Sequence, residues 1–72
     1  NHGGSSGIIF NAANEVAVKS FLEEQITFDK IYEVIYRTFD AIPMSKNLDI
    51  ESIYEIDNQT RIEAKKVVKS VS

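Results

Sequence analysis

Apolar residues return along the chain at the three- and four-residue spacing of α-helices, and nowhere do they alternate strongly enough for a strand. From Ile8 onward, Phe10, Ala13, Ala17 and Phe21 trace one helical face, which predicts a first helix from about Ser6 to Glu24. Ile9 and Val16 widen that stripe, the pattern of a helix with neighbours on more than one side. Glu15 and Lys19, four apart, are placed to pair on the outside. A second helix opens with Thr27 as N-cap, Asp29 in the first turn and Ile26 with Ile31 as a hydrophobic staple. Ile31, Val34, Ile35 and Phe39 form its apolar stripe, with Glu33 and Arg37 paired opposite. Pro43 ends it near Ala41, because proline disfavours helical geometry in the residue before it.

Met44 to Leu48 reads as a loop, and Asp49 caps a third segment with Leu48 and Ile53 in staple positions. Ile50, Ile53 and Tyr54 are expected to face inward over about two turns. Asp57 is a second good N-cap, which predicts a separate last helix from Asn58 to Val71. Its apolar set is Ile62, Ala64, Val67, Val68 and Val71; one continuous helix from Ile50 is the alternative. The expected fold is all-α: a small up-and-down bundle of three long helices and one short one, resembling a four-helix bundle. Residues 1–7, which hold all three glycines, read as a flexible Gly/Ser lead-in, and residues 8–72 as one helical domain.

Length sharpens this picture. A chain of 72 residues buries only about 60–65% of the surface its unfolded form exposes. With no Cys, neither a disulfide nor a thiolate metal site can staple it. Missing stability must then come from a partner surface, self-association or close helix packing. The net charge of −3 argues against nucleic acid as a partner. No apolar run approaches the roughly 18 residues a membrane span needs, and the polar start is not a signal peptide. The chain opens on Asn1 rather than Met, as a piece of a longer protein would.

Candidate chemistry adds little. Gly3-Gly4-Ser5-Ser6-Gly7 precedes a helix whose N–H groups could meet an anion, yet the Lys-Ser/Thr of a P-loop and the strand of a dinucleotide fold are missing. His2 is the sole histidine and has no partner in the sequence for acid–base or metal work. Carboxylates such as Glu23, Glu24, Asp29, Glu33, Asp49, Glu51 and Glu55 fall at helix ends or on polar faces, which caps and solvent explain. Arg61, Lys65, Lys66 and Lys69 gather where positive charge complements a helix C-terminus. The seven aromatics, four Phe and three Tyr, are spaced as helical core and rim. No catalytic, cofactor-binding or metal-binding residue is assigned.

One stretch is locally unfavourable for a helix: Asn11-Ala12-Ala13-Asn14-Glu15-Val16-Ala17-Val18. Asn11 and Asn14 share a face, beside Glu15, among small and apolar neighbours. Asn11, Asn14 and Glu15 are therefore the candidates for orienting the bundle or meeting a second domain.

That stretch, with Phe21-Leu22, Ile26-Thr27-Phe28 and Ile31, resembles the C-terminal region of the 1-deoxy-D-xylulose 5-phosphate reductoisomerase family. The similarity continues through Asp49–Glu55, Asp57, Arg61 and Ala64, from about Gly3 to the end. The resemblance implies the C-terminal helical domain of a larger, bacterial, cytoplasmic enzyme. That enzyme converts 1-deoxy-D-xylulose 5-phosphate to 2-C-methyl-D-erythritol 4-phosphate in non-mevalonate isoprenoid synthesis, using NADPH and Mg²⁺ or Mn²⁺. It implies that cofactor, metal and substrate are held by upstream domains, so no catalytic residue carries over to this chain. The implied partner is the catalytic domain of the same enzyme; the isolated chain is expected to be inactive and prone to self-association. A stand-alone helical interaction module is the alternative.

Overall fold

A computed structural model of the protein describes residues 5–43 and 48–72. His2, most of the Gly/Ser lead-in and the Met44–Asn47 part of the expected loop lie outside the described residues. Three helices follow in order: α1, Ser6–Leu22; α2, Phe28–Ala41; and α3, Ile50–Val71. Each packs against both of the others, as in a small antiparallel bundle. No strand occurs among the described residues.

The helix ends are set by local chemistry. α1 begins at Ser6, as the apolar spacing predicts: Ser6 and Gly7 stand in its first turn, and the Ser5 carbonyl accepts the Ile9 N–H at 3.0 Å. It ends in a paired closure, with the Gln25 N–H donating to the Ser20 carbonyl and the Glu24 N–H to that of Phe21, both at 2.9 Å. Such closures need a left-handed residue just past the helix. Here that residue is Glu24, at φ 62°, where glycine is usual. α2 starts from an extended Thr27 whose hydroxyl donates to the Asp29 carboxylate at 2.5 Å. It stops at Ala41 because Ile42, ahead of Pro43, is extended at φ −101° and ψ 121°.

α3 corrects one expectation. Asp49 caps it, accepting the Ser52 N–H at 2.8 Å, but the helix runs unbroken through Asp57 to Val71. The short helix and the last long helix are one. Asp57 can stay in the helix interior because Arg61, one turn on, satisfies its carboxylate at 3.0 Å.

The main core joins Ala13, Val16 and Ala17 of α1 to Val34 and Ile35 of α2 and Ala64, Val67 and Val68 of α3, with Ile26 closing one end. Ile9, Ile42 and Ile56 make a smaller cluster at the other end. Ala13, Ala17 and Ala64 have no exposed surface, and their short side chains let the three helices approach closely. Ile26 and Ile31 both reach this core, as their staple positions imply.

Two expected inward sets are not buried. Phe10 is 51% exposed, because α1 turns Ile9, Ala12, Ala13 and Val16 inward instead. Ile50 and Tyr54 are each 73% exposed, and Ile53 and Ile62 are also open to solvent. α3 at 22 residues is about 33 Å long, close to the molecule's 35 Å extent, while α1 has 17 residues and α2 has 14. Its start therefore overhangs the described parts of its neighbours and leaves Ile50, Ile53 and Tyr54 exposed, while Ile56 still reaches Ile9 and Ile42.

Candidate interdomain surface

α1 is apolar around most of its circumference, so burying one side against α2 and α3 leaves a second side still uncharged. Gly7, Asn11, Asn14, Val18 and Leu22 follow one another at three- and four-residue spacing along this outer strip, with Phe10 at its edge. All are exposed except Asn14, which is half-buried. The charged residues of α1 are displaced toward α3. Glu15 pairs with Arg61 at 2.9 Å rather than with Lys19, and Lys19 lines a cleft with Lys65 and Lys69. The strip's other margin faces α2, where Phe10, Tyr32, Ile35, Tyr36 and Phe39 line a shallow furrow with Asp40 at its edge. The Tyr32 and Tyr36 rings lie 5.2 Å apart, centroid to centroid, and form one wall. Three other charged residues of α2 are tied to one another, Glu33 pairing with Arg37 at 2.8 Å and with Lys30 at 3.4 Å.

Of the three candidate residues, Asn11 and Asn14 thus lie on the open strip, and Glu15 on the α3 margin. The Asn11 and Asn14 side-chain amides make no hydrogen bond among the described residues. Glu15 instead ties two helices together through Arg61, whose guanidinium also bonds Asp57. Asp57 first, and Glu15 second, hold that guanidinium's proton above its ordinary affinity. The tyrosine pair is the part of the surface that sequence reasoning missed. Its signal was the spacing of Tyr32, Tyr36 and Phe39, one turn apart along α2.

Two carboxylates are occupied locally. The Thr27 hydroxyl holds the Asp29 carboxyl below the usual carboxylate range, and the Ser52 backbone N–H does the same for Asp49. No group of three His, Cys, Asp or Glu converges as metal ligands among the described residues. Among those residues, no helix is long and apolar enough to cross a membrane.

Comparison with known proteins places this architecture. The family model described as "DXP reductoisomerase C-terminal domain" matches residues 1–63. Among curated relatives, the 1-deoxy-D-xylulose 5-phosphate reductoisomerase of Halothermothrix orenii is 45% identical over 65 residues, covering 90% of this chain and 17% of its own length. The enzyme of the same name from Blochmanniella pennsylvanica is 48% identical over 60 residues, with 83% and 15% covered. That of Buchnera aphidicola is 44% identical over 69 residues, with 96% and 17% covered. The chain therefore spans about one-sixth of the length of these relatives. No solved structure matches it. A three-helix unit with an asparagine-bearing first helix, matched over most of its length by that model and by relatives at this identity, belongs to the DXP reductoisomerase C-terminal domain family.

Proposed function

We propose that this chain serves as the supporting helical domain of a longer reductoisomerase polypeptide. The whole enzyme would convert 1-deoxy-D-xylulose 5-phosphate to 2-C-methyl-D-erythritol 4-phosphate in the cytoplasm. The observation that carries the reading is the family match together with a share of about one-sixth of the relatives' length. The role is mechanical: the domain buries an apolar face against the catalytic domain and so stabilises the arrangement of the groups that react there. NADPH would supply the hydride, and Mg²⁺ or Mn²⁺ would polarise the substrate oxygens.

The residues of this chain fit neither group. Five of its eleven carboxylates are engaged at helix ends or in ion pairs, Asp29 with Thr27, Asp49 with Ser52, Glu33 with Arg37, and Asp57 and Glu15 with Arg61, and among the described residues no three converge. The first helix follows no strand among the described residues, as a dinucleotide-binding turn would require. Both groups belong to the upstream domains in this reading, and no catalytic step is assigned to any residue here.

The test compares the longer polypeptide with a version lacking these 72 residues, by substrate-dependent NADPH oxidation and by thermal unfolding. The expected result is a loss of turnover of at least tenfold, a lower melting temperature for the truncated enzyme, and no turnover by the 72 residues alone. Unchanged activity and unchanged melting on truncation would overturn the supporting role, and turnover by the 72 residues would overturn the assignment of chemistry to other domains.

A second reading, a separate helical interaction module, draws on the same open face of α1 and α2, which would suit a partner helix from another protein. The isolated chain is expected to self-associate through that face at high concentration. Sedimentation showing a strict monomer would count against this.

A further inference from the structure

We propose that the cleft between the C-terminal parts of α1 and α3 binds a small anion with two adjacent phosphoryl groups, a role separate from support of the catalytic domain. Lys19 of α1 and Lys65 and Lys69 of α3 line this cleft of about 250 Å³, together with the buried Val16, Ser20 and Val68. Three observations carry the proposal.

The first is charge against the trend of the chain. The protein has a net charge of −3, yet three ammonium groups meet at one cleft whose lining holds a single carboxylate, that of Glu23. Lys30, Arg37 and Arg61 are neutralised in ion pairs. The ammonium groups of Lys19, Lys65 and Lys69 make no ion pair or hydrogen bond among the described residues. Lys19 is left open because Glu15, one turn before it, pairs with Arg61 instead. Like charges four apart on a helix repel, as Lys65 and Lys69 do, and a bound anion reverses the sign of that interaction.

The second is that the helix ends do not need these lysines. Lysines near a helix C-terminus ordinarily meet its last carbonyls. Here the Lys19, Ser20 and Phe21 carbonyls accept the N–H groups of Glu23, Gln25 and Glu24. In α3 the Val68 and Lys69 carbonyls accept the Ser72 N–H and hydroxyl. The third is Ser20, which lines the same cleft, is only 6% exposed, and has a hydroxyl with no partner among the described residues. A phosphoryl oxygen held by the lysines would give that hydroxyl a charged acceptor.

Charge and size set the ligand. Three ammonium groups facing one carboxylate call for an anion of more than one charge, and the cleft volume admits a diphosphate. An extended polyanion would run past the lysines onto Glu23 and a surface of net negative charge, which disfavours nucleic acid and anionic membrane.

Lysine acetylation, read residue by residue by mass spectrometry, tests this in the longer polypeptide. Without added anion, Lys19, Lys65 and Lys69 should react about as fast as the exposed Lys66, which does not line the cleft. With about 1 mM sodium pyrophosphate the three should slow at least about fivefold, and Lys66 should keep its rate. Sodium chloride at the same ionic strength should not reproduce the effect. Lys65→Gln combined with Lys69→Gln should abolish the slowing at Lys19 and leave the melting temperature unchanged, since both side chains are exposed.

Equal slowing of Lys66, or an equal effect of chloride, would overturn the proposal by reducing it to diffuse screening. Slowing by phosphatidylglycerol vesicles and not by pyrophosphate would overturn it in favour of a lipid surface. Lysines of the cleft that are unreactive before any anion is added would show it filled by another part of the polypeptide, which overturns the anion site and leaves the supporting role intact.

Discussion

Thr38 of α2 and Thr60 of α3 are both without exposed surface, yet only one of their hydroxyls is satisfied. Thr60 donates to the Ile56 carbonyl at 2.6 Å, whereas the Thr38 hydroxyl has no hydrogen-bond partner among the described residues. Thr38→Val exchanges that hydroxyl for a methyl of similar size. A buried polar group left unpaired costs about 1–3 kcal/mol, and an added buried methyl contributes up to about 0.8 kcal/mol. Both residues are β-branched and differ little in helix propensity, so backbone effects nearly cancel. The expected gain is about 1–4 kcal/mol. Thr60→Val loses a hydrogen bond with a net value of about 0.5–1.5 kcal/mol and gains the same methyl, so it should lie within about 0.5 kcal/mol of the parent. Urea unfolding of the 72-residue chain followed by circular dichroism measures both. At about 4–8 °C per kcal/mol for a domain of this size, Thr38→Val should also melt at least about 4 °C higher. A Thr38→Val chain no more stable than Thr60→Val would refute the reasoning, since the Thr38 hydroxyl would then have a partner that matters.

Glu24→Gly should stabilise the chain by about 0.5–1 kcal/mol by relieving the left-handed backbone at φ 62°, and a lowered denaturation midpoint would contradict that account of the α1 closure. The Asp49 and Asp29 carboxyls have folded pKa values below their ordinary 3.8, so the unfolded chain takes up these protons first as pH falls. Their contribution is complete above about pH 4 and is lost as pH drops through the folded values. Asp49→Asn keeps a side-chain oxygen to cap α3 but does not titrate, so its stability should fall less steeply in acid; identical acid slopes for variant and parent would argue against the cap. Val18→Lys should leave the 72-residue chain within about 0.5 kcal/mol, as ordinary surface changes do. In the longer polypeptide it should cost about 2 kcal/mol or more by burying an unpaired ammonium where the open strip of α1 meets the catalytic domain, and equal melting of variant and parent there would place Val18 in solvent.

What the sequence made legible was whatever depends on a few neighbouring residues. The Asp49 cap, the Thr27 start and the Pro43 stop are local chemistry, and the structure places all three where their residue types imply. Asp57 misled because a good capping residue is also tolerated inside a helix when Arg61 follows one turn later. Glu24 could not be foreseen, since its left-handed position usually goes to glycine or asparagine.

The buried faces were harder to choose. Because α1 is apolar nearly all round, spacing alone could not decide whether Phe10 or Ile9 points inward, and the partners decide for Ile9. Ile50, Ile53 and Tyr54 have core-like spacing, but the unequal helix lengths leave them beyond the neighbouring helices. The asparagines of the candidate surface stood out as polar intrusions in an apolar helix. The tyrosine wall facing Phe10 emerges only when α1 and α2 are set side by side.

The most direct test of the central claim is the size of the native polypeptide that carries the Asn11–Lys19 segment, measured by peptide mass spectrometry on size-separated lysate of the source cells. The account predicts a species about six times the 8.1 kDa of this chain, yielding peptides from upstream nucleotide-binding and catalytic domains. A species of about 8.1 kDa with no upstream peptides would contradict it and make the chain a separate helical interaction module.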